Sequence, residues 1–215
     1  MLRFEGLGKS YGTRAIFQSA HLNLDTGVYA LQGPNGIGKS TLLGLLAGAL
    51  PADAGDVWID GVSLTHAPLA ARQRLSYVPD ESPIYPFMTG RELLNFVAMA
   101  KKTVIMPDML TLVNGFGLDA YLNTSFSALS LGTQKKLLLS AAWIGEPSVL
   151  LLDEPSNGLD VDARIFLAKL LQEKGRRSAI LFSTHDADFV AAAGAAVIKM
   201  DQILSERKEN CVAEI

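Results

Sequence analysis

Residues Gly33-Pro34-Asn35-Gly36-Ile37-Gly38-Lys39-Ser40 satisfy the pattern G-x-x-x-x-G-K-[ST]. It follows the apolar run Val28–Leu31 and leads into the Leu- and Ala-rich segment Ser40–Ala49, so it joins a predicted strand to a predicted helix. The glycines allow successive backbone N–H groups to face one anion, together with the N-terminus of the helix. An ordinary glycine-rich turn is the alternative, but this context favours a phosphate-binding loop.

The polar residues of this loop have distinct predicted roles toward a nucleotide. Lys39 is expected to reach the β- and γ-phosphates, and the Ser40 hydroxyl is expected to bind Mg²⁺. Thr41 either bonds the α-phosphate or only begins the helix. The remaining predicted binding positions are the loop residues Gly33, Asn35, Gly36 and Gly38.

A pair of acidic residues follows a second apolar run. Val149–Leu152 is continuously apolar, which is typical of a parallel strand covered on both faces. Asp153 at its end is expected to bind Mg²⁺, and Glu154 is expected to act as general base toward a water molecule, a role worth about 10²–10⁴ in rate. Two solvated acids at a strand end are the alternative, and the phosphate-binding loop argues against it.

The order of the remaining motifs resembles one family, the ABC-type ATPases. Residues Leu129-Ser130-Leu131-Gly132-Thr133-Gln134 are similar to its signature L-S-G-G-Q, and Ser156-Asn157-Gly158-Leu159-Asp160 is similar to its D-loop. Ser183-Thr184-His185 follows in the family's order, and Tyr11 lies where the family stacks an aromatic ring on adenine. Packing at a strand edge is the alternative for Tyr11. The resemblance extends over essentially the whole chain.

The resemblance implies an α/β fold, with a P-loop NTPase core of the ABC ATPase type, an N-terminal antiparallel β portion and an inserted helical subdomain. We therefore expect one domain over residues 1–215, with its core at 1–82 and 147–215 and the helical subdomain at about 83–146. The hydrophobic pattern agrees, because short apolar runs separated by turns fill the first sixty residues, and helical spacing begins near Gly90.

The resemblance also implies a mechanism, in which two ATP-binding subunits pack head to tail and hydrolyse ATP with Mg²⁺. Ser130 and the N–H of Gly132 would contact the γ-phosphate held by the other subunit, in a homodimer or a heterodimer. His185 would bond the γ-phosphate and help to hold the attacking water, and Asp160 would couple the two sites. A transmembrane permease subunit would be the driven partner.

The chain departs from the family pattern at two places. After Tyr77-Val78-Pro79, where the family has Gln, this chain has Asp80 followed by Glu81. Asp80 is an oxygen donor that is expected to reach Mg²⁺. In the signature, Leu131 and Thr133 replace the usual Gly and Gln, whereas the serine and the second glycine are retained.

Composition limits the classes of partner and the location. The 215 residues have a formal net charge of -3 and no Lys/Arg run, which argues against nucleic acid as the main partner. No apolar stretch reaches the ~20 residues that span a bilayer, and the N-terminus lacks a signal-peptide pattern. The single cysteine, Cys211, fits a reducing compartment. We expect a peripheral protein on the cytoplasmic face of a membrane.

Two other functions compete with a transporter subunit. A soluble ABC-type ATPase acting on DNA or the ribosome would usually need a long helical arm or a second copy of the domain, and neither is found in the sequence. A P-loop kinase of small molecules would have no reason for the 129–134 signature. The spelling Leu-Ser-Leu-Gly at 129–132 resembles that of export-type systems.

An apolar, aromatic cluster runs from Pro83 to Met88. In the family, this region forms a groove that receives a short helix of the membrane subunit, and aromatic and Met side chains suit such a contact. The alternative is that Tyr85 and Phe87 fold inward as part of the core of the helical subdomain.

Overall fold

The computed structural model describes residues 1–81 and 84–205 of the chain. The strands are, in chain order, β1 Leu2–Tyr11, β2 Arg14–Leu24, β3 Gly27–Gln32, β4 Ala54–Ile59, β5 Val62–Ser63, β6 Leu75–Val78, β7 Val149–Leu152, β8 Ala179–Ser183 and β9 Ala196–Lys199. The helices are α1 Lys39–Leu46, α2 Pro68–Gln73, α3 Gly90–Ala100, α4 Asp108–Gly115, α5 Leu131–Ala141, α6 Val161–Lys174, α7 Ala187–Ala192 and α8 Met200–Ser205, with short 3₁₀ helices at Asp119–Tyr121 and Phe126–Ala128. Pro83 and Cys211 lie outside the described residues.

An antiparallel sheet occupies the N-terminal part of the chain, with its strands in the order β2-β1-β4-β5. Apolar residues alternate with exposed ones along β1, as in a sheet with one face against a core. The register of β1 against β4 shifts between Glu5 and Gly8. At this point Gly55 has φ 82°, and a Cβ there would lie 2.5 Å from the Gly6 carbonyl oxygen, so only glycine fits.

A second sheet is wholly parallel, with its strands in the order β6-β7-β8-β3-β9. Every residue of β7 is buried, which confirms the prediction of a strand covered on both faces. Val149 and Leu151 belong to one apolar core, and Leu150 and Leu152 belong to the other. The parallel sheet thus separates two cores.

The first core lies between the two sheets and contains α1. Leu42 and Leu46 of α1 pack there with Phe4 and Phe17 of the antiparallel sheet. The second core joins the other face of the parallel sheet to α6 and to the helical insertion between β6 and β7. Phe116 and Phe166 meet edge to face in it, with their ring centroids 4.8 Å apart. This architecture confirms the predicted fold class.

The predicted boundaries of one helix were wrong by a short distance. The helix predicted over Ser40–Ala49 runs from Lys39 to Leu46, because Gly48 takes the left-handed φ of 66° and the Gly44 carbonyl accepts the N–H groups of Ala49 and Leu50. Helix α6 begins at Val161, since the Asp160 side chain caps its first turn by accepting the Ala163 N–H at 2.9 Å.

Candidate nucleotide-binding site

The predicted site residues of the core come together at one edge of the parallel sheet. The loop at 33–40 follows β3, the pair Asp153-Glu154 follows β7, His185 follows β8 and Asp80 follows β6. These strands are parallel and hydrogen-bonded to one another in the order β6-β7-β8-β3, so their carboxyl ends share an edge. Ligands of open α/β sheets bind outside this edge.

The loop at 33–40 prepares the N-terminus of α1 for an anion. Gly38 is the N-cap residue with φ 114°, and no side chain caps the first turn of α1. A Cβ at Gly38 would lie 2.8 Å from Ile16 Cγ2, which adds a steric reason for glycine. The Lys39 ammonium is buried and donates to the carbonyl oxygens of Gly33 at 2.8 Å and Pro34 at 3.3 Å, so a cation lies inside the loop. Loop, amides and cation together fit a polyphosphate.

Asp153 is held in place by a buried hydroxyl. Ser183 Oγ donates to Asp153 Oδ1 and accepts the backbone N–H of Glu154 at 2.9 Å. Burial, and secondly the charge of Asp153, raise the pKa of Tyr77 to about 12, so Tyr77 stays protonated at neutral pH. No separate role was predicted for Ser183. Its position directly after the apolar run Ala179–Phe182 indicates a strand end, where site residues lie.

Glu154 has a strained backbone and a buried carboxylate oxygen. Its φ of 44° is left-handed, which costs free energy for a residue with a Cβ and is typical of functional sites. Its Oε2 atom is buried and makes no hydrogen bond within residues 1–81 and 84–205. The ring of His185 is near, with Nδ1 3.3 Å from Oε2 and 3.5 Å from Oε1, and this imidazole is mostly exposed. A carboxylate and an imidazole are thus neighbours at this edge.

The oxygen donors at this edge fit a cation only if phosphate completes the set. No group of three or more His, Cys, Asp or Glu that could hold a metal ion occurs in the described part of the chain. Mg²⁺ in nucleotide sites typically takes one or two carboxylates plus phosphate oxygens, and the Ser40 hydroxyl with the Asp153 carboxylate would suit that arrangement. The third predicted metal ligand, Asp80, already accepts a hydrogen bond from Lys135 at its Oδ1 atom, at 3.2 Å.

The signature residues form the N-terminus of α5. Ser130 is the N-cap, and its Oγ accepts the Thr133 N–H at 3.2 Å and lies 2.8 Å from Thr133 Oγ1. A Cβ at Gly132 would lie 2.6 Å from the Gly158 carbonyl oxygen, so this glycine allows α5 to touch the segment after Glu154. Leu131, which replaces a glycine of the family, is 82% exposed and needs no such space.

Asp160 has two partners within its own chain. Besides capping α6, its Oδ2 atom forms an ion pair with Lys136 of α5. The hydrogen bond from Lys136, and secondly that from Ala163, lower the pKa of Asp160. Its coupling role across a dimer stays a prediction, and the roles of Lys135 and Lys136 were missed from the sequence.

Tyr11 ends β1 beside the turn to β2 and is 51% exposed. The Lys9 ammonium lies 5.4 Å from the centroid of its ring and is itself 3.0 Å from Asp53 Oδ1. Because Ile16 of β2 packs against Gly38, this hairpin borders the phosphate-binding loop. An exposed ring here suits stacking on a base, and the contact with adenine stays a prediction.

Tyr85 and Phe87 are 66% and 76% exposed, and their rings stack with centroids 5.5 Å apart. The alternative that both fold inward is therefore wrong. Ile84 and Met88 face the core instead, and the backbone is fixed because the Met88 carbonyl accepts the Phe126 N–H at 2.8 Å. The two rings form an outward-facing aromatic pair.

None of the helices within residues 1–81 and 84–205 has the length and apolar character that crossing a membrane requires.

Comparison with known proteins identifies the family. The family model described as "ABC transporter" matches residues 17–157. The ABC transporter ATP-binding protein YdbJ of Bacillus subtilis (strain 168), which is described as uncharacterized, is 31% identical over 190 residues, 86% of this chain and 61% of that protein. The lantibiotic transport ATP-binding protein SrtF of Streptococcus pyogenes is 30% identical over 190 residues, 86% of this chain and 80% of that protein. The chain thus spans about three fifths of the Bacillus relative.

Solved structures agree with the sequence relatives. An ATP-binding subunit of an ABC transporter superposes with a TM-score of 0.84 at 27% identity, covering 93% of this chain and 85% of that one. The fold is also that of a dimeric ATP-binding cassette in a post-hydrolysis state bound to ADP and Pi, with a TM-score of 0.81 at 20% identity, covering 93% of this chain and 94% of that one. Together with the phosphate-binding loop and the acidic pair, these matches show that the chain belongs to the ABC transporter family, as an ATP-binding ABC ATPase domain.

Proposed function

We propose that this chain binds ATP with Mg²⁺, hydrolyses it to ADP and phosphate, and thereby powers a separate transmembrane transporter subunit. The proposal rests on the buried Oε2 atom of Glu154, which makes no hydrogen bond within residues 1–81 and 84–205 and sits on left-handed backbone at the sheet edge where the phosphate-binding loop begins. A carboxylate oxygen that no hydrogen bond occupies, with His185 Nδ1 3.3 Å away, is available to an attacking water.

Residues at the carboxyl edge of the parallel sheet have different proposed roles in ATP hydrolysis. Bound nucleotide with Mg²⁺ supplies the electrophilic phosphorus and neutralises phosphate charge. Lys39 and the uncapped N–H groups of α1 hold the phosphates, and Ser40 and Asp153 hold the cation. Glu154 takes the proton of the attacking water, and His185 orients the γ-phosphate from the end of β8. Tyr11 stacks on the adenine.

A second ATP-binding subunit, identical or different, completes the site. Ser130 and the N–H of Gly132 face the γ-phosphate held by the partner, and Asp160 couples the two sites. Two observations support this assembly. The start of α5 is open to a partner at Leu131, and a dimer has been seen for a cassette of the same fold.

The aromatic pair Tyr85 and Phe87 forms the contact with the transmembrane subunit, on the cytoplasmic face of the membrane. Its support is the exposure of two stacked rings on a fixed loop, which is unusual for free surface. The helical subdomain at about 83–146 and the core at 1–82 and 147–215 together make up the one domain. An export-type system is favoured by the spelling Leu-Ser-Leu-Gly at 129–132.

Glu154→Gln tests the chemistry, because it removes the basicity of the carboxylate and keeps its shape. We expect phosphate release to fall by about 10²–10⁴, while ATP binding measured by titration stays within about threefold of wild type. Glu173→Gln, at an exposed site on α6, is the matched control and should change neither quantity. Near-normal turnover of the Glu154 variant would remove Glu154 as the base.

The membrane contact has its own test. Changing Tyr85 and Phe87 together to Ser should leave the melting temperature and basal hydrolysis close to wild type, since both rings are exposed. Co-purification with the membrane subunit should be lost. A large fall in melting temperature with assembly unchanged would contradict the contact.

A further inference from the structure

Lys135 on α5 has a buried ammonium that reaches two strand ends of the nucleotide site. Its side chain is only 8% exposed. The Nζ atom lies 3.2 Å from Asp80 Oδ1 and 3.3 Å from each of two carbonyl oxygens, those of Asp80 and Asp153. Asp80 follows β6, and Asp153 follows β7. One side chain of the helical insertion therefore contacts the backbone of the site at adjacent strand ends.

The charges of Lys135 and Asp80 depend on each other. A buried ammonium is costly unless it is paired and hydrogen-bonded. Within residues 1–81 and 84–205, Asp80 is the carboxylate that pairs with it. Asp80 stands where the resemblance leads one to expect a neutral Gln, so the negative charge that this chain introduces there is matched by the positive charge of Lys135.

The same helix carries the signature at its first turn. Ser130, five residues before Lys135, is the N-cap. Gly132 packs against the Gly158 carbonyl, beyond Glu154. The first turns of α5 are thus in contact with the chain segments that follow both β6 and β7. A displacement of Asp80 or of the end of β7 would be transmitted to Ser130 through Lys135.

A second lysine of the insertion, which is only partly buried, provides a comparison. Lys101, at the end of α3, donates to the Leu75 carbonyl at 2.9 Å and to Ser76 Oγ at 2.7 Å. Burial lowers the pKa of Lys101 to about 8. The two lysines therefore hold β6 at its opposite ends, and only Lys135 holds the end that borders the nucleotide site.

We propose that Lys135 is a positioning residue, which couples Asp80 and the end of β7 to the start of α5, so that the nucleotide site of one chain sets the placement of Ser130. The expected effect of Lys135 on turnover rests on the proposed function, ATP hydrolysis. The mechanical part, which links residue 80 to the N-terminus of α5, can be tested without hydrolysis.

The test is a double-mutant cycle with Lys135→Met, Asp80→Gln and the combination of both. Amide hydrogen exchange across residues 129–135 is measured with and without ADP and Mg²⁺, and kcat and KM are measured for ATP. Lys135→Met should speed exchange at the start of α5 and lower kcat by about tenfold with KM changed less than about threefold, a coupling in the range of ~5–150-fold. The double variant, with both charges removed, should fold and recover most of both effects.

Lys101→Met is the control, because it removes a partly buried ammonium of the insertion that contacts the same strand, β6, without touching the site. It should leave exchange at residues 129–135 and the ratio of kcat to KM as in wild type, even where it lowers the melting temperature. The proposal is overturned if Lys135→Met leaves exchange at the start of α5 unchanged, or if the two substitutions act independently. If the wild type itself does not hydrolyse ATP, the proposed function fails, and the exchange data still decide on the link.

Discussion

The N-termini of α1 and α5 are both predicted to face phosphate, but only the N-terminus of α5 has a side-chain cap in the structure. The first turn of α1 has a glycine at its N-cap and no side-chain cap, and the Lys39 ammonium lies inside the loop that precedes it. The first turn of α5 is capped by Ser130, fixed by Lys135 and Lys136, and packed against Gly158.

The two helix starts differ in the partners that are left for a ligand. The four N–H groups at a helix start need partners; at α1 an anionic ligand can supply them, whereas at α5 the Ser130 hydroxyl already satisfies one. We infer that α1 gives affinity for nucleotide, and that α5 contributes through its position. Substitutions at the two ends should therefore have different signatures.

The largest effect is expected for Lys39→Ala at the start of α1. Loss of a charged hydrogen-bond donor to phosphate costs about 1.5–3 kcal/mol, or roughly tenfold to a hundredfold in ATP affinity. Isothermal titration of the single chain measures it. Lys169→Ala on the exposed face of α6 is the control of equal charge. An unchanged dissociation constant for the Lys39 variant would exclude the loop as the binding element.

An intermediate effect should distinguish the two glycines at these ends. Gly132→Ala puts a Cβ 2.6 Å from the Gly158 carbonyl oxygen, which should lower the free energy of unfolding by about 1–3 kcal/mol while ATP affinity of the single chain stays constant. Gly38→Ala should lower both stability and affinity, because its backbone is left-handed inside the loop. Leu131→Ala is the exposed control. Equal losses of ATP affinity in both glycine variants would contradict the inference that only α1 gives affinity for nucleotide.

The smallest effect concerns the cap itself. Ser130→Ala removes the acceptor of the Thr133 N–H and should lower the free energy of unfolding by about 1 kcal/mol. Ser130→Thr keeps the hydroxyl and should restore most of it. Urea denaturation of the three proteins measures the difference. If the alanine variant were as stable as wild type, the Ser130 hydroxyl would contribute nothing as a cap.

The fold and the main parts of the site could be predicted from the sequence because their signals are local. The loop at 33–40 carries its own backbone requirements, and the run Val149–Leu152 shows its burial directly. What could not be predicted depends on side chains that meet only after folding. Lys135 and Asp80 are 55 residues apart in sequence, and neither alone shows that it is paired.

The same limit applied to the aromatic cluster before α3. Its composition left open whether Tyr85 and Phe87 face inward or outward, because an apolar side chain in a turn-rich segment suits both. The choice depends on hydrogen bonds of the Pro86 and Met88 carbonyls to the segment at Ser127 and Phe126, which lies about forty residues further along the chain.

We propose that the nucleotide-binding site at α1 of one chain is completed by the N-terminus of α5 of a second chain. The most direct test is the hydrolysis rate per chain over a dilution series, measured together with the dimer fraction by analytical ultracentrifugation in the presence of ATP. If the site needs both chains, the hydrolysis rate per chain falls in parallel with the dimer fraction. A constant rate per chain at dilutions where no dimer is detected would contradict it.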